Sequence, residues 1–329
     1  MQAIQLISHG TPATSCECIE VPVSAPAAGE VQVAIKAAAI NPADLLIFEG
    51  RYPGPATLPA LVGIEGAGIV TAVGTGVDDL AVGDHVISMG RANWADSVTA
   101  DAEQFLPIPK ELPWEQAAQL NANPPSAHLM LRDYVDLKEG DWVIQNAANS
   151  AVGRHVIAFC KARGLRSINI VRREVLVDEL ISLGADQVLV DHPDVATRVR
   201  ERVGPDANIP LGIDALGGDG TLKLANTLSN GGTVVNYGFL SGQPCQMTPT
   251  NTIVESKTLK GFWLVGFMQS ASRAEKVALY AEMSNAFISG QLQVPVEASY
   301  PLQSIGDALG HAHRESRKGK ILLVPDANQ

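Results

Sequence analysis

Polar and apolar positions change rhythm once along this chain. Through the first 115 residues apolar side chains alternate in short runs, as at 30–36 and 68–73, with turn residues at Pro53-Gly54, Gly74-Thr75-Gly76 and Gly83-Asp84. A period of two punctuated by Gly and Pro predicts a coiled, mostly antiparallel β domain. Near Leu112-Pro113 the texture shifts, and from 114 to 131 apolar residues recur at helical spacing, interrupted at Asn123-Pro124-Pro125. A buried strand is predicted at 142–145, a helix at 150–163, a second strand at 167–171 and another helix to Leu183. Short strands follow at 188–190, 211–215, 232–237 and 262–267, with helical patterns among them. A long helix is expected over 272–289, and the tail alternates again at 293–296 and 320–324. Strand–helix alternation predicts an α/β fold with a doubly wound parallel sheet. The boundaries expected are 118–271 for the sheet domain and 1–117, joined by the tail 272–329, for the β domain.

Two domains suit a chain of 329 residues, which exceeds one ordinary core. A formal charge of −11 argues against nucleic acid or an anionic membrane surface as the main partner. No stretch approaches the ~20 apolar residues that cross a bilayer. Four cysteines, Cys16, Cys18, Cys160 and Cys245, are too few and too scattered for a disulfide framework. Residues 1–10 alternate like a strand and lack the charged start and apolar run of a secretory signal. These features lead us to expect a reduced, cytoplasmic protein acting on a small molecule.

Candidate chemistry begins at the turn after the strand 142–145. The run Asn146-Ala147-Ala148-Asn149-Ser150-Ala151-Val152-Gly153 keeps side chains small, as a dinucleotide fold requires for backbone N–H groups to approach a pyrophosphate at a helix N-terminus. The three positions of the usual glycine fingerprint fall at Ala148, Ser150 and Gly153, and only the last is glycine. Ser150 can cap the helix. A plain strand–helix turn fits the same residues. The next strand separates the two readings, because it ends in Arg172-Arg173 with no acid until Glu174. An NAD-specific fold places an acid there, whereas two guanidiniums suit a 2′-phosphate. NADPH is the expected cofactor.

Further segments carry a resemblance. They are Leu61-Val62-Gly63-Ile64-Glu65-Gly66-Ala67-Gly68, Asn41-Pro42-Ala43-Asp44 with Gly50-Arg51-Tyr52, Gln145-Asn146-Ala147-Ala148-Asn149-Ser150, Ile170-Val171-Arg172-Arg173, and Lys260-Gly261-Phe262-Trp263-Leu264. Over nearly its whole length the chain resembles the medium-chain dehydrogenase/reductase superfamily. Within it, the chain is most similar to 2-enoyl thioester reductases of the mitochondrial fatty-acid-synthesis type. The resemblance implies a Rossmann NADPH-binding domain beside a GroES-like catalytic domain, and a homodimer formed through the 232–240 and 262–267 segments. It also implies an enzyme without zinc. Ile64 stands where zinc enzymes of the superfamily have histidine, and no cysteine lies between Cys18 and Cys160. Cys16-Glu17-Cys18 has no companion ligands.

The family's proton donor maps onto Tyr52, which would polarise the thioester carbonyl and protonate Cα. A tyrosine packed to steady its loop is the other reading. The resemblance assigns Asn41 and Asn123 to the cofactor, the latter on the nicotinamide side. It assigns Asn149, Ser150, Ala151, Val152 and Gly153 to the phosphate turn, with Ala151 where the family prefers glycine. Tyr237, Gly238, Phe239 and Leu240, with Phe262, Trp263 and Leu264, would line the nicotinamide in a dry setting. Lys320, at the end of a basic stretch with Arg314, Arg317 and Lys318, either reaches a cofactor phosphate or lies on a solvated surface. The activity implied is NADPH-dependent reduction of an activated C=C bond, foremost a trans-2-enoyl thioester. A zinc-free quinone or enal/enone reductase is the alternative, and a non-catalytic NADPH-binding structural or regulatory protein is the second. The charge of −11 favours coenzyme A over an acidic carrier protein as the thioester's bearer.

Overall fold

A computed structural model describes residues 1–314 and 317–325. Residues 315–316, inside the basic stretch, and 326–329, at the end of the tail, lie outside the described residues. The chain divides into two compact units, Met1–Ala122 with Ala271–Gln329, and Asn123–Ser270.

The second unit is built on six parallel strands in the spatial order Gln187–Val190, Arg166–Val171, Trp142–Gln145, Leu211–Asp214, Thr233–Asn236, Thr258–Gly261. Counted along the chain this is 3-2-1-4-5-6, the doubly wound order, with its reversal between Trp142–Gln145 and Leu211–Asp214. The four residues Trp142–Gln145 are all buried, as expected of a central strand covered on both faces. The helix Ala151–Ala162 follows because Ser150 caps it and Val152, Val156, Ile157, Phe159 and Cys160 turn one apolar face inward. Its neighbour, the helix Asn123–Asp133, begins at the point where two prolines interrupt the apolar pattern. Proline in a first turn needs no N–H and arrives with a helical φ.

The first unit holds a seven-stranded sheet ordered Val296–Tyr300, Lys320–Leu323, Glu30–Ala39, Gly66–Val73, His85–Ser88, Phe105–Pro107, with Ser97–Asp101 also pairing to Glu30–Ala39. A small sheet of Cys16–Glu20, Gln2–Leu6 and Ala60–Leu61 completes it. All pairings are antiparallel except that of the two tail strands. The core is aliphatic with Phe48, Trp94 and Phe105 at its centre.

Two strand expectations need correction. The strand expected at 262–267 is instead Thr258–Gly261, followed by the helix Leu264–Ser270. Phe262 and Trp263 favour strands by composition, but Leu264, Phe267 and Met268 sit at helical spacing, and the ladder ends where Phe262 N–H donates to Asn236. The tail strand runs Val296–Tyr300, beyond the expected 293–296, because Pro295 has no N–H for a ladder and pairing starts at Val296 opposite Lys320.

Candidate active site

The turn after Trp142–Gln145 meets the requirements of a phosphate-binding loop with one glycine. Ser150 Oγ accepts from Gly153 N–H at 3.1 Å, which caps the helix. Ala147 takes the left-handed backbone, at φ 47°. A Cβ on Gly153 would stand 2.4 Å from the Ala148 carbonyl oxygen, so this position cannot carry a side chain without backbone movement. Gln145 reinforces the approach by donating to the Gly153 carbonyl at 2.8 Å. Ala148 is fully buried, and its small size closes the turn against the sheet. Asn149, Ser150 and Ala151 are half-buried, while Val152 is buried.

Other expected cofactor residues stand at the same end of the sheet. Arg172 is exposed and Arg173 half-buried, directly after the strand Arg166–Val171 beside Trp142–Gln145. Tyr237 follows Thr233–Asn236 and is half-buried. Burial raises the Tyr237 phenol well above its ordinary range. Gly238 lies so near Ala215 that a Cβ would come within 2.7 Å of its carbonyl oxygen. Phe239 is half-buried and Leu240 exposed. Phe262 packs edge-on to Tyr134, whose hydroxyl donates to Gly261 at 2.8 Å, while Trp263 is 49% exposed and Leu264 half-buried. Asn123 opens the helix Asn123–Asp133 and is half-buried.

In the first unit, Tyr52 sits on a loop, half-buried against the apolar core. Asn41 and Lys320 form a buried cluster with Asp44 and Glu65, two carboxylates that sequence reasoning did not single out. Lys320 Nζ donates to Asn41 Oδ1, and Asn41 Nδ2 donates to Glu65 at 2.6 Å. Glu65 also accepts from Ala122 N–H at 2.6 Å, and Asp44 accepts from the N–H groups of Asn41 and Ile64 at 2.8 and 3.0 Å. Burial pushes Asp44 up to about 7, raises Glu65, and lowers Lys320. Lys320 is only 7% exposed, which corrects the solvated-surface reading. Its amine is held by Asn41, so a phosphate contact would have to break that cluster. Strand pairing explains the burial, since Lys320–Leu323 runs between Val296–Tyr300 and Glu30–Ala39.

The sequence hid Asp214, the partner of Asn146. Both are buried, and Asn146 Nδ2 donates to Asp214 at 2.6 Å across 68 positions of chain.

Comparison with known proteins bears on these assignments. Residues 27–110 match the alcohol dehydrogenase GroES-like domain and residues 151–281 match a family described as zinc-binding dehydrogenase. The mitochondrial enoyl-[acyl-carrier-protein] reductase of Caenorhabditis elegans is 39% identical over 306 residues, covering 91% of this chain and 88% of the relative. The mitochondrial 2-enoyl thioester reductase Etr1p of Candida tropicalis, solved with NADP and crotonyl-CoA, superposes with TM-score 0.87 at 25% identity, covering 98% of this chain and 99% of that one. Escherichia coli quinone oxidoreductase, solved with NADPH, gives TM-score 0.90 at 26% identity, covering 99% and 100%. The mitochondrial names of relatives 30–39% identical overturn the expectation of a cytoplasmic protein. That expectation rested on the scattered cysteines, the charge and the pattern of residues 1–10, which are weak indicators of compartment. The second family's description raises zinc. Ile64 follows Gly63, and no group of three or more His, Cys, Asp or Glu is placed to hold a metal ion among the described residues.

Proposed function

The chain belongs to the medium-chain dehydrogenase/reductase superfamily and, within it, to the enoyl thioester reductases, and on that premise we propose that it reduces trans-2-enoyl thioesters with NADPH. The observation that carries this reading is the 39% identity over 306 residues with an enoyl reductase. It is supported by the capped one-glycine turn followed by Arg172-Arg173 in place of an acid. NADPH, when bound, supplies hydride to Cβ of the substrate. Ser150 and the N–H groups that open Ala151–Ala162 hold its pyrophosphate, Arg172 and Arg173 its 2′-phosphate, and Tyr237–Leu240 with Phe262–Leu264 and Asn123 keep water from the nicotinamide. Addition at Cβ leaves an enolate, and Tyr52 stabilises its oxygen, donates its phenol proton to Cα and is reprotonated from solvent. Carbonyl polarisation is assigned here to hydrogen bonds from groups such as Tyr52.

Relatives are named for carrier-protein substrates and the solved complex holds a coenzyme A thioester, so the proposal is made for the thioester class. The test follows NADPH oxidation with crotonyl-CoA, a medium-chain enoyl-CoA, a simple enone and a quinone, for wild type and Tyr52→Phe. Enoyl-CoA turnover by wild type, reduced about 100-fold or more in the variant, is expected for loss of an acid catalyst. The fold match to quinone oxidoreductase favours a second reading. Quinone turnover that survives Tyr52→Phe, with no enoyl-CoA reduction by either protein, would establish that reading instead. Tight NADPH binding without turnover on any of the four would point to a non-catalytic role.

A homodimer is part of the proposal. The strand Thr258–Gly261 is a fully exposed edge on which Leu259 is 40% exposed, and unpaired edges of this kind invite a second copy. Light scattering coupled to size exclusion should give twice the 34.7 kDa chain mass, and a monomer at micromolar concentration would refute it.

A further inference from the structure

Asp214 closes the strand Leu211–Asp214 fully buried, and nothing in the proposed chemistry uses it. A carboxylate out of water is costly unless donors surround it, and here they come from separate segments of the chain. Oδ1 accepts from the Asn146 amide at 2.6 Å and from the N–H groups of Leu216 and Gly217 at 2.9 and 3.1 Å. Oδ2 accepts from the Thr221 hydroxyl at 2.6 Å, the Asn236 amide at 3.0 Å and, more weakly, Gly217 N–H at 3.3 Å. Asn146 is the first residue of the phosphate turn, and its Oδ1 in turn accepts from Ala215 N–H at 2.8 Å. Asn236 precedes Tyr237, and its amide also holds the Gly238 carbonyl at 2.7 Å.

We propose that Asp214 is a positioning residue that holds the two halves of the dinucleotide site through separate arms. Through Asn146 its Oδ1 sets the phosphate turn, and through Asn236 its Oδ2 sets the segment at the nicotinamide. The inference rests on reading these segments as the NADPH site. A hydrogen-bonded hub that only stabilised the fold would affect both halves alike, whereas this division of labour can be separated by removing one arm at a time.

Asn146→Ala and Asn236→Ala each remove one arm. Binding of 2′,5′-ADP, which has phosphates but no nicotinamide, is measured by calorimetry, and kcat with crotonyl-CoA at saturating NADPH reports the other half. Asn146→Ala should weaken 2′,5′-ADP about fivefold, the worth of one hydrogen bond. Asn236→Ala should lower kcat by a similar factor and shift 2′,5′-ADP binding less than about twofold. Asp214→Asn sharpens the split. Leu216 and Gly217 donate from the backbone and cannot turn, so the variant keeps its oxygen toward them and places its amide on the Oδ2 side. There the Thr221 hydroxyl can rotate to accept, but Asn236 cannot turn without releasing Gly238, so Asp214→Asn should follow Asn236→Ala. Equal proportional losses of binding and kcat in both alanine variants, or no loss in either, would overturn the proposal. The two alanine variants decide between these outcomes even if Asp214→Asn does not fold. Wild type that binds neither 2′,5′-ADP nor NADPH would instead sink the cofactor reading on which the proposal rests.

Discussion

Gly153→Ala should damage the protein despite being the substitution that most favours a helix. The new methyl would lie 2.4 Å from the Ala148 carbonyl oxygen and 2.7 Å from its carbonyl carbon and Cα, all backbone. Ordinary contact begins near 3.4 Å, so the first turn of Ala151–Ala162 must retreat by about 1 Å. Such overpacking costs about 1–3 kcal/mol. Retreat also strains two hydrogen bonds, Gly153 N–H to Ser150 and Gln145 to the Gly153 carbonyl, at about 1 kcal/mol each. Helix propensity returns about 1 kcal/mol. The net is a loss of about 2–4 kcal/mol, on the order of 10 °C in Tm for a unit of this size. NADPH affinity should fall at least about tenfold, because the helix N-terminus is displaced from the phosphates. Gly310→Ala is the control. Gly310 lies inside the helix Ile305–Ala312 with nothing within 4 Å of a Cβ, so the same change should stabilise by about 0.5–1 kcal/mol. Differential scanning calorimetry and NADPH fluorescence titration read both effects. A Gly153→Ala protein with wild-type Tm and NADPH affinity would refute the close-approach argument.

Two further outcomes follow from the same structure. Replacing Arg172 and Arg173 together by Ala should raise the KM for NADPH about 10–100-fold and leave NADH use unaffected, the loss expected for charge-assisted hydrogen bonds to a 2′-phosphate. An unchanged NADPH/NADH ratio would reject that assignment. Lys320→Met should cost about 3 kcal/mol of stability at pH 8, because Asp44 and Glu65 lose the cation placed among them, and distinctly less at pH 5.5. The sign follows from Asp44, whose folded pKa of about 7 lies above its unfolded value. Its contribution is full below the unfolded pKa and is lost as pH rises through about 7, so the protein sheds stability in that window and the variant sheds more. Denaturant unfolding at the two pH values checks this, and an equal loss at both would show that the carboxylates are not the groups relieved by Lys320.

What is legible in the sequence, and what is not, divides along chain distance. The turn at 146–153 is legible because its requirements are local: small residues, a capping serine three before Gly153, and a basic pair ending the next strand. The structure refines which of the three fingerprint positions is indispensable. Ala148 is accommodated fully buried and Ser150 supplies the cap, which leaves Gly153 alone of the three unable to accept a Cβ. Lys320 is opaque for the opposite reason. Among Arg314, Arg317 and Lys318 it looks solvated, and only pairing of its strand with segments near residues 39 and 296 puts its amine beside Asn41, 279 positions away. Asp214 likewise sits in an ordinary strand end, and its value lies in partners 68 and 22 positions distant. The strand expected at 262–267 fails for a third reason, since strand-favouring aromatics stand just before a helix whose own spacing begins at Leu264. A local motif names only residues that share one turn. Some of the groups that hold that turn in place come from elsewhere in the chain, so substitutions at Asp214 and Asn236 test what the motif does not contain.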